Sequence, residues 1–300
     1  MTNTNTSLIS PLPDWNLIRI SGPDCVPFLQ NLLTNNIVNL QVDQQQLSGF
    51  CSPKGRLLAS FWISHPQIDS YDLWISADIA QEFAKKLAMY RLRSKVIIEL
   101  KALEFNIYGL MSETPFIDQT PIQCDLPSVI LNNTEYQRRL IATSEVMVNS
   151  DPQDLWKLLE VQSGISRITD ATKDRFVPQM INFESVGAVD FKKGCYPGQE
   201  IVARSQYLGT VKRRLKIASI NIKKNQDLII SPGMEVFSEA DPDQACGVVV
   251  LSSFDHTNSR YYFQLEIKLS QTQEKLYFKI DNLQYSDIVL LEPPYPLITI

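Results

Sequence analysis

Short runs of strand-type residues, separated by turns that contain Gly, Pro, Asn or Asp, recur along most of this 300-residue chain. Apolar runs of this length predict β-strands, and the turns between them predict hairpins. Few stretches have helical spacing; the clearest spans residues 77 to about 92 and places Ile79, Phe83, Leu87 and Tyr90 on one face. We therefore predict an α+β protein in which helices pack on antiparallel sheets.

The pattern changes twice along the chain and predicts three folded parts. Strands and helices alternate up to residue 112, and the polar stretch 113–133, with Pro115, Pro121 and Pro127, is the best internal boundary. From Val211 onward many short strands without helical periodicity predict an antiparallel barrel. The predicted parts are a disordered tail (1–14), a first α+β domain (15–112), a second α+β domain (113–210) and a C-terminal β-barrel (211–300).

The second part contains a strong helix start. Asp151-Pro152-Gln153-Asp154 supplies a capping carboxylate and a proline for the first helical position, and Gly164 is placed to end the helix. This helix carries Trp156, and the first predicted strand begins at Trp15. By itself, a tryptophan on such an apolar face is more typical of core packing than of a ligand contact.

Composition restricts the possible partners. No apolar run approaches the ~18 residues that span a bilayer, and the N-terminus lacks the features of a signal peptide, so we expect a cytoplasmic protein without membrane contact. The net charge of −5 argues against direct nucleic-acid binding. One basic run, residues 212–216, is a local exception, and it is more typical of a solvated strand edge than of an RNA contact.

The cysteines and histidines do not form a metal-binding pattern. The five cysteines are far apart and include no CxxC pair, and the two histidines, His65 and His256, have no ligand-like neighbours. We expect free thiols that are mostly buried, and no metal.

The stretch from Lys192 to Arg204 combines groups that carry chemistry. Gly194 and the Tyr196-Pro197-Gly198 turn allow sharp bends that expose Cys195 just before a predicted helix. Free N–H groups at that helix start, with Lys192 and Lys193 nearby, would favour a thiolate or an anionic ligand. No histidine is close in sequence to act as a base. We interpret Cys195 as a functional thiol, whereas Glu200 and Arg204, at i and i+4, can be a simple helix-surface pair.

Residues 176–183 and 191–204, with the core Lys-Gly-Cys-Tyr-x-Gly-Gln-Glu, closely resemble the signature of the YgfZ family. Members of that family are folate-binding proteins linked to iron–sulfur cluster maintenance and tRNA modification. They are relatives of the aminomethyltransferase of the glycine cleavage system. Further matches extend over the whole chain: Asp14-Trp15 before Ile20-Ser21-Gly22, the Pro53-Lys54-Gly55 hairpin, Ser94-Lys95-Val96, Trp156 eight residues before Gly164, and Lys212-Arg213.

The resemblance implies two ferredoxin-like α+β units and a barrel, arranged as a ring around a central opening that binds tetrahydrofolate or a derivative. It implies that Trp15 and Trp156 line the folate site, which suits stacking of a flat ring on indole. A glutamate tail would seek cations such as Lys193 or Arg204. The predicted site residues are Cys195 as the functional thiol and Trp15, Trp156, Lys193, Tyr196, Gln199, Glu200 and Arg204 as ligand contacts.

Two departures from the aminomethyltransferase pattern count against aminomethyl transfer. The hairpin strand 55–61 lacks the carboxylate that the enzyme needs for methylene transfer. Near the end of the Trp156 helix, Gln162 stands where relatives often have a glutamate that binds the pterin.

We therefore expect a monomeric folate-binding accessory protein that supports assembly or repair of iron–sulfur proteins, including tRNA-thiolating enzymes. Cys195 would ligate or transfer a cluster, form a mixed disulfide, or accept a one-carbon unit, and the sequence leaves these three roles open. Two other functions also stay open: a folate-dependent one-carbon transferase and a folate-sensing regulator without chemistry.

Overall fold

The computed structural model describes residues 7–117, 120, 122–151, 154–222, 228–280 and 283–299. Within these residues the strands are β1 (Leu8–Pro11), β2 (Trp15–Ser21), β3 (Gln45–Cys51), β4 (Leu57–Gln67), β5 (Ser70–Ser76), β6 (Ile97–Leu100), β7 (Asn106–Ser112), β8 (Gln123–Leu131), β9 (Thr134–Thr143), β10 (Arg213–Asn221), β11 (Glu235–Ser238), β12 (Gly247–Asp255), β13 (Arg260–Lys268), β14 (Leu276–Ile280), β15 (Leu283–Tyr285) and β16 (Val289–Leu291). The helices are α1 (Cys25–Gln30), α2 (Ala77–Tyr90), α3 (Leu155–Gln162) and α4 (Gln199–Tyr207).

The first sheet has the strand order β3-β4-β5-β2-β6, and each neighbouring pair is antiparallel. Side chains alternate between its two faces, as the strand repeat requires. Ile18 and Ile20 join the core that contains Phe83 of α2, whereas Leu17 and Trp74 join a second core on the opposite face. The sheet is therefore buried on both sides.

The second sheet, β1-β7-β9-β8, covers that opposite face. Two of its strands correct the sequence predictions. Leu8–Pro11 pairs with β7 and is not part of a disordered tail, since Leu12 just after it is buried in the second core; residues 1–6 lie outside the described part. β8 lies inside the stretch 113–133, because Pro127 occupies a bulge in an edge strand, where a missing N–H is tolerated. Pro121 lies outside the described residues.

The third sheet, β15-β14-β11-β12-β13-β10-β16, is antiparallel and curled. Among the described residues no pairing joins β15 to β16, so the predicted closed barrel is here an open half-barrel. Val249 packs in the sheet's own core, while its neighbours Val248 and Val250 pack against the first core. One face of this sheet therefore covers its own core, and the other face packs against the first core.

Helix α3 begins as predicted at the Asp151 cap. The Asp151 carboxylate accepts hydrogen bonds from the N–H groups of Leu155 (2.8 Å) and Trp156 (3.0 Å), and Gly164 follows the helix with φ +66°. Pro152 and Gln153 lie outside the described residues. Gln264 of β13 donates to the carbonyls of Glu160 (3.2 Å) and Val161 (3.1 Å), which fixes the helix end to the third sheet.

In the described ranges, no helix is long and apolar enough to cross a bilayer. The α+β class and the antiparallel sheets agree with the sequence prediction, whereas the number of structural units, the ring arrangement and the domain bounds stay predictions. β7 of the predicted first domain pairs with β9 of the predicted second domain.

Candidate functional site

Cys195 lies exposed in a loop that ends at the start of α4. Gly198 adopts φ +79°, and a Cβ on it would lie 2.3 Å from the carbonyl oxygen of Ser52 in the β3–β4 turn. Only glycine satisfies both conditions. Tyr196 is buried beneath the loop, and burial raises its pKa above the ordinary value. The loop is thus pinned on both sides of an accessible thiol.

The role predicted for Gly194 is not required by this geometry. Its φ is not in the left-handed region, and a Cβ on it would meet nothing within 4 Å. The helix start is also less free than expected. The N–H of Gln199 donates to the carbonyl of Tyr196 (3.2 Å), and the N–H of Ile201 donates to that of Gly198 (3.2 Å).

Lys193 is a structural clamp, which corrects its expected role as a contact for a glutamate tail. Its ammonium donates to the carbonyls of Gln30 (2.6 Å), Leu33 and Asn35 (3.1 Å), so all three N–H groups are used. The residue is 8% exposed, and burial lowers its pKa to about 8. The clamp ties the Cys195 loop to the segment after α1.

The remaining predicted contacts of this stretch lie on or before α4. Glu200 and Arg204 are exposed on the helix, where both can meet solvent or a partner. Gln199 is half-buried, and its amide lies 3.5 Å from the carbonyl of Lys193. Their role toward a ligand stays a prediction.

The other four cysteines are buried, as expected. Burial raises the pKa of Cys25 to about 11 and of Cys51 to about 12, and it also raises those of Cys124 and Cys246. Among the residues that the structure describes, no group of three or more His, Cys, Asp or Glu side chains is placed to hold a metal ion.

Trp15 and Trp156, which are 141 positions apart in the sequence, line one cavity. Trp15 is at the start of β2 and Trp156 is in the first turn of α3, and both are at most 5% exposed. Neither indole N–H has a hydrogen-bond partner. By contrast, the indole of Trp74 donates to Ser64 (3.0 Å). Two predicted ligand residues therefore share one cavity and retain unused donors.

A buried ion pair forms one wall of this cavity. Arg167 donates to Glu160 (2.8 Å), to the Asp14 carboxylate (2.6 Å) and to the Ser76 hydroxyl (2.9 Å). Its guanidinium carbon lies 4.5 Å from the centroid of the Trp15 ring, a cation–π distance. The guanidinium is thus fixed by two carboxylates and one aromatic face.

The same ion pair borders a much larger cleft. The cavity lined by the tryptophans has a volume of about 20 Å³, whereas the cleft on the other side of Glu160 and Arg167 has about 590 Å³. Residues from separate parts of the fold line the cleft, including Asp78 at the start of α2, Lys157 of α3 and Leu251 of β12. It has the size of a small-molecule site.

Sequence reasoning missed Glu160, Arg167 and Arg138 in this cavity. Gln162, the predicted replacement for a pterin-binding glutamate, does not line the cavity, whereas Glu160 on the same helix does. The only sequence signal was a glutamate within the apolar run of a helix, which is rarely buried unless it is paired.

The structure does not bring Cys195 into the cavity with the tryptophans. The two places are connected through β4: Ser60 lines the cavity, and Gly55, five residues earlier, lies against Gly198. Five residues of chain span at most about 18 Å. The Cys195 loop therefore contacts the turn that leads into a strand lining the cavity, while the thiol itself does not line the cavity.

Three of the four cations in the basic run 212–216 pair with carboxylates. Arg213 pairs with Glu266 (2.8 Å), and Lys216 pairs with Glu292 (2.6 Å). Arg214 is buried in a pair with Glu184. These charges stabilise the packing of β10, so the run is not the solvated edge that we predicted.

Comparison with known proteins agrees with this fold. No protein-family model matches the chain. A tRNA-modifying protein YgfZ from Photorhabdus laumondii is 30% identical over 230 residues, which are 69% of each chain. An uncharacterized protein from Haemophilus influenzae is 29% identical over 234 residues, which are 77% of this chain and 79% of that protein.

Among solved structures, the glycine cleavage system aminomethyltransferase T from Bartonella henselae is similar, with a TM-score of 0.65 over 96% of this chain and 87% of that chain. Its 12% sequence identity shows a common fold only. The sequence match to the Photorhabdus protein shows more than a common fold, because the 30% identity covers more than two thirds of both chains. The resemblance of the Cys195 stretch is thereby confirmed, and the chain belongs to the family of the tRNA-modifying proteins YgfZ.

Proposed function

We propose that this protein binds tetrahydrofolate or a derivative and supports tRNA modification by maintaining iron–sulfur enzymes. The observation that carries the proposal is the cleft of about 590 Å³ that is bordered by the buried Glu160–Arg167 pair, whose guanidinium packs on the Trp15 ring. A reduced pterin has hydrogen-bonding atoms along the edge of its flat pyrimidine ring, so fixed polar groups such as Glu160 and Arg167 suit it. When bound, the folate would supply a carrier for a one-carbon unit.

The sizes of the cleft and the cavity suggest where the pterin ring and the glutamate tail of the ligand would lie. The cavity of about 20 Å³ is too small for a pterin, so the ligand would occupy the cleft of about 590 Å³ and direct its ring edge toward Glu160 and Arg167. Lys157, at the cleft, is the available cation for a glutamate tail because its partner Asp154 is exposed and 3.5 Å away. The proposed tail contact is therefore Lys157 of α3 and not Lys193.

Cys195 would act toward a protein partner. It is exposed, and the clamp of Lys193 and the close packing of Gly198 hold its loop in place. A thiol presented on a fixed loop outside the ligand cavity suits contact with another macromolecule, such as an iron–sulfur enzyme. Its chemical role is one of the three named above.

Ligand binding is tested by calorimetric titration with 5-formyltetrahydrofolate, a stable reduced folate. We expect Lys157→Met, which removes the proposed contact for the glutamate tail, to weaken binding by about tenfold, the value of one hydrogen bond of about 1.4 kcal/mol. Lys275→Met is the matched control, because Lys275 also forms an exposed ion pair, with Glu239 (3.0 Å), and does not line the cleft. Equal losses in both variants, or no binding by the unchanged protein, would contradict the placement.

The cellular role is tested in a strain that lacks this protein. We expect Cys195→Ala to bind 5-formyltetrahydrofolate normally and to fail to restore tRNA thiolation. Lys157→Met should restore it only in part, because ligand binding is weakened. Full restoration by Cys195→Ala would favour a folate sensor without thiol chemistry. Turnover of an aminomethyl donor by the purified protein would favour the transferase.

A further inference from the structure

Arg138 of β9 is a buried charge without a carboxylate partner. The residue is 3% exposed. Its Nε and Nη2 both donate to one backbone carbonyl, that of Pro127, at 3.1 and 3.0 Å. Among the described residues no carboxylate forms an ion pair with it, and its Nη1 has no hydrogen-bond partner. Glu160 is the acid that acts on it electrostatically, and Glu160 is bonded to Arg167.

This guanidinium lines the cavity of Trp15 and Trp156. Its carbon lies 6.0 Å from the centroid of the Trp156 ring. Burial lowers the pKa of Arg138 to about 10, which leaves it charged at neutral pH. Of the two guanidinium groups in the cavity wall, Arg167 is bonded to the carboxylates of Glu160 and Asp14, whereas Arg138 forms no ion pair of its own.

Two buried donors of the cavity, the indole N–H groups of Trp15 and Trp156, have no hydrogen-bond partner. The hydrogen bonds of Arg138 to Pro127 come from Nε and Nη2, which leaves Nη1 as a third donor. Two acceptors of the cavity wall are already used: Glu160 by Arg167, and the Ser60 hydroxyl by the N–H of Ile168 (2.8 Å).

Burial of a positive charge beside donors that have no acceptor lowers the stability of the fold unless an anion or a strong acceptor binds there. The volume of about 20 Å³ holds one or two water molecules, which is also the size of a small monoanion. We propose that Arg138 and the two indole N–H groups bind a carboxylate-type anion in this cavity. This inference does not depend on folate binding, since the cavity exists beside the cleft.

The carboxylate has two conceivable sources, a free anion such as formate or a carboxylate group of the larger ligand. Both present the same chemistry to Arg138, namely two acceptor oxygens with one negative charge, which a guanidinium bonds well. A titration with sodium formate, in protein free of folate, tests the anion site itself. Repeating it with saturating 5-formyltetrahydrofolate identifies the source: persistence of the formate response indicates a free anion, and its loss indicates a ligand carboxylate.

The readout is the melting temperature as formate is added, with sodium gluconate at equal ionic strength as the reference. We expect a saturable rise for the unchanged protein, because an anion that binds only the folded state stabilises it. Arg138→Met should weaken formate binding at least tenfold and remove the rise, while the melting temperature without formate should change little or increase, because an uncompensated buried charge is removed.

Arg139→Met is the matched control, since Arg139 is the next residue of β9 and pairs with Asp125 away from the cavity. It should keep the formate response. If Arg138→Met does not unfold cooperatively, Arg138→Gln, which keeps donors without charge, takes its place and should also lack the response. No saturable rise in the unchanged protein, or the same rise in both Arg138 variants, overturns the proposal.

Discussion

The carboxylate of Glu160 accepts a 2.8 Å hydrogen bond from Nε of Arg167, and both residues are less than a tenth exposed. Burial opposes the charge on Arg167, but Glu160 and Asp14 outweigh it and raise the pKa of that guanidinium. Arg167 therefore stays charged at physiological pH. The pair with Glu160 forms the wall between the cavity of the two tryptophans and the large cleft, and both proposed ligand sites depend on it.

Glu160→Gln should lower the free energy of unfolding by about 3 kcal/mol, because it leaves a buried guanidinium with only part of its charge compensation. Urea denaturation measures the loss. Asp154→Asn is the control: it breaks the exposed Lys157–Asp154 pair and should cost less than about 1 kcal/mol. Equal costs for the two variants would show that the Glu160 pair contributes nothing beyond a surface pair.

Lys193→Met should also cost about 3 kcal/mol, because three carbonyl groups lose the ammonium that they share. We expect the Cys195 loop to become sensitive to limited proteolysis at the same time. Lys192→Met, at the exposed neighbouring position, should change stability by no more than about 0.5 kcal/mol. A loop that resists proteolysis in Lys193→Met would rule out the clamp.

Thiol labelling with iodoacetamide at pH 8 should modify one cysteine per folded chain, and mass spectrometry should identify it as Cys195. The exposed thiol reacts, whereas Cys51, with its pKa raised by burial to about 12, has about one thiolate in ten thousand at that pH. In urea all five cysteines should react. Labelling of a second cysteine in the folded state would contradict the burial described above.

Gly198→Ala should destabilise the protein by at least about 2 kcal/mol, because the new Cβ would meet the Ser52 carbonyl at 2.3 Å and the backbone has φ +79°. Gly194→Ala should be neutral within about 0.5 kcal/mol, since a Cβ there meets nothing within 4 Å. Thermal unfolding of both variants measures the difference. If Gly194→Ala were the less stable variant, glycine would be required at position 194 and not at position 198, which would contradict the described geometry.

Local patterns predicted most of the regular structure. The strand that starts at Trp15, the hairpin around Gly55, the helix from Ala77 and the Asp151 cap all follow from alternation, turn residues and capping. The predictions of secondary structure were wrong where pairing with a neighbouring strand outweighed the preference of the local sequence. Pro127 fits inside β8 because an edge strand with a bulge does not need its N–H, and β1 exists because β7 offers it a partner.

The sequence by itself determined the family, the α+β class and the exposed thiol, because the Cys195 stretch and its glycine turn are short-range patterns. Tertiary structure decided which charges are available. It used Lys193 on three carbonyls, paired Arg167 with Glu160, and left Arg138 buried without an acid. These outcomes depend on contacts between residues far apart in the chain, which no local spacing encodes.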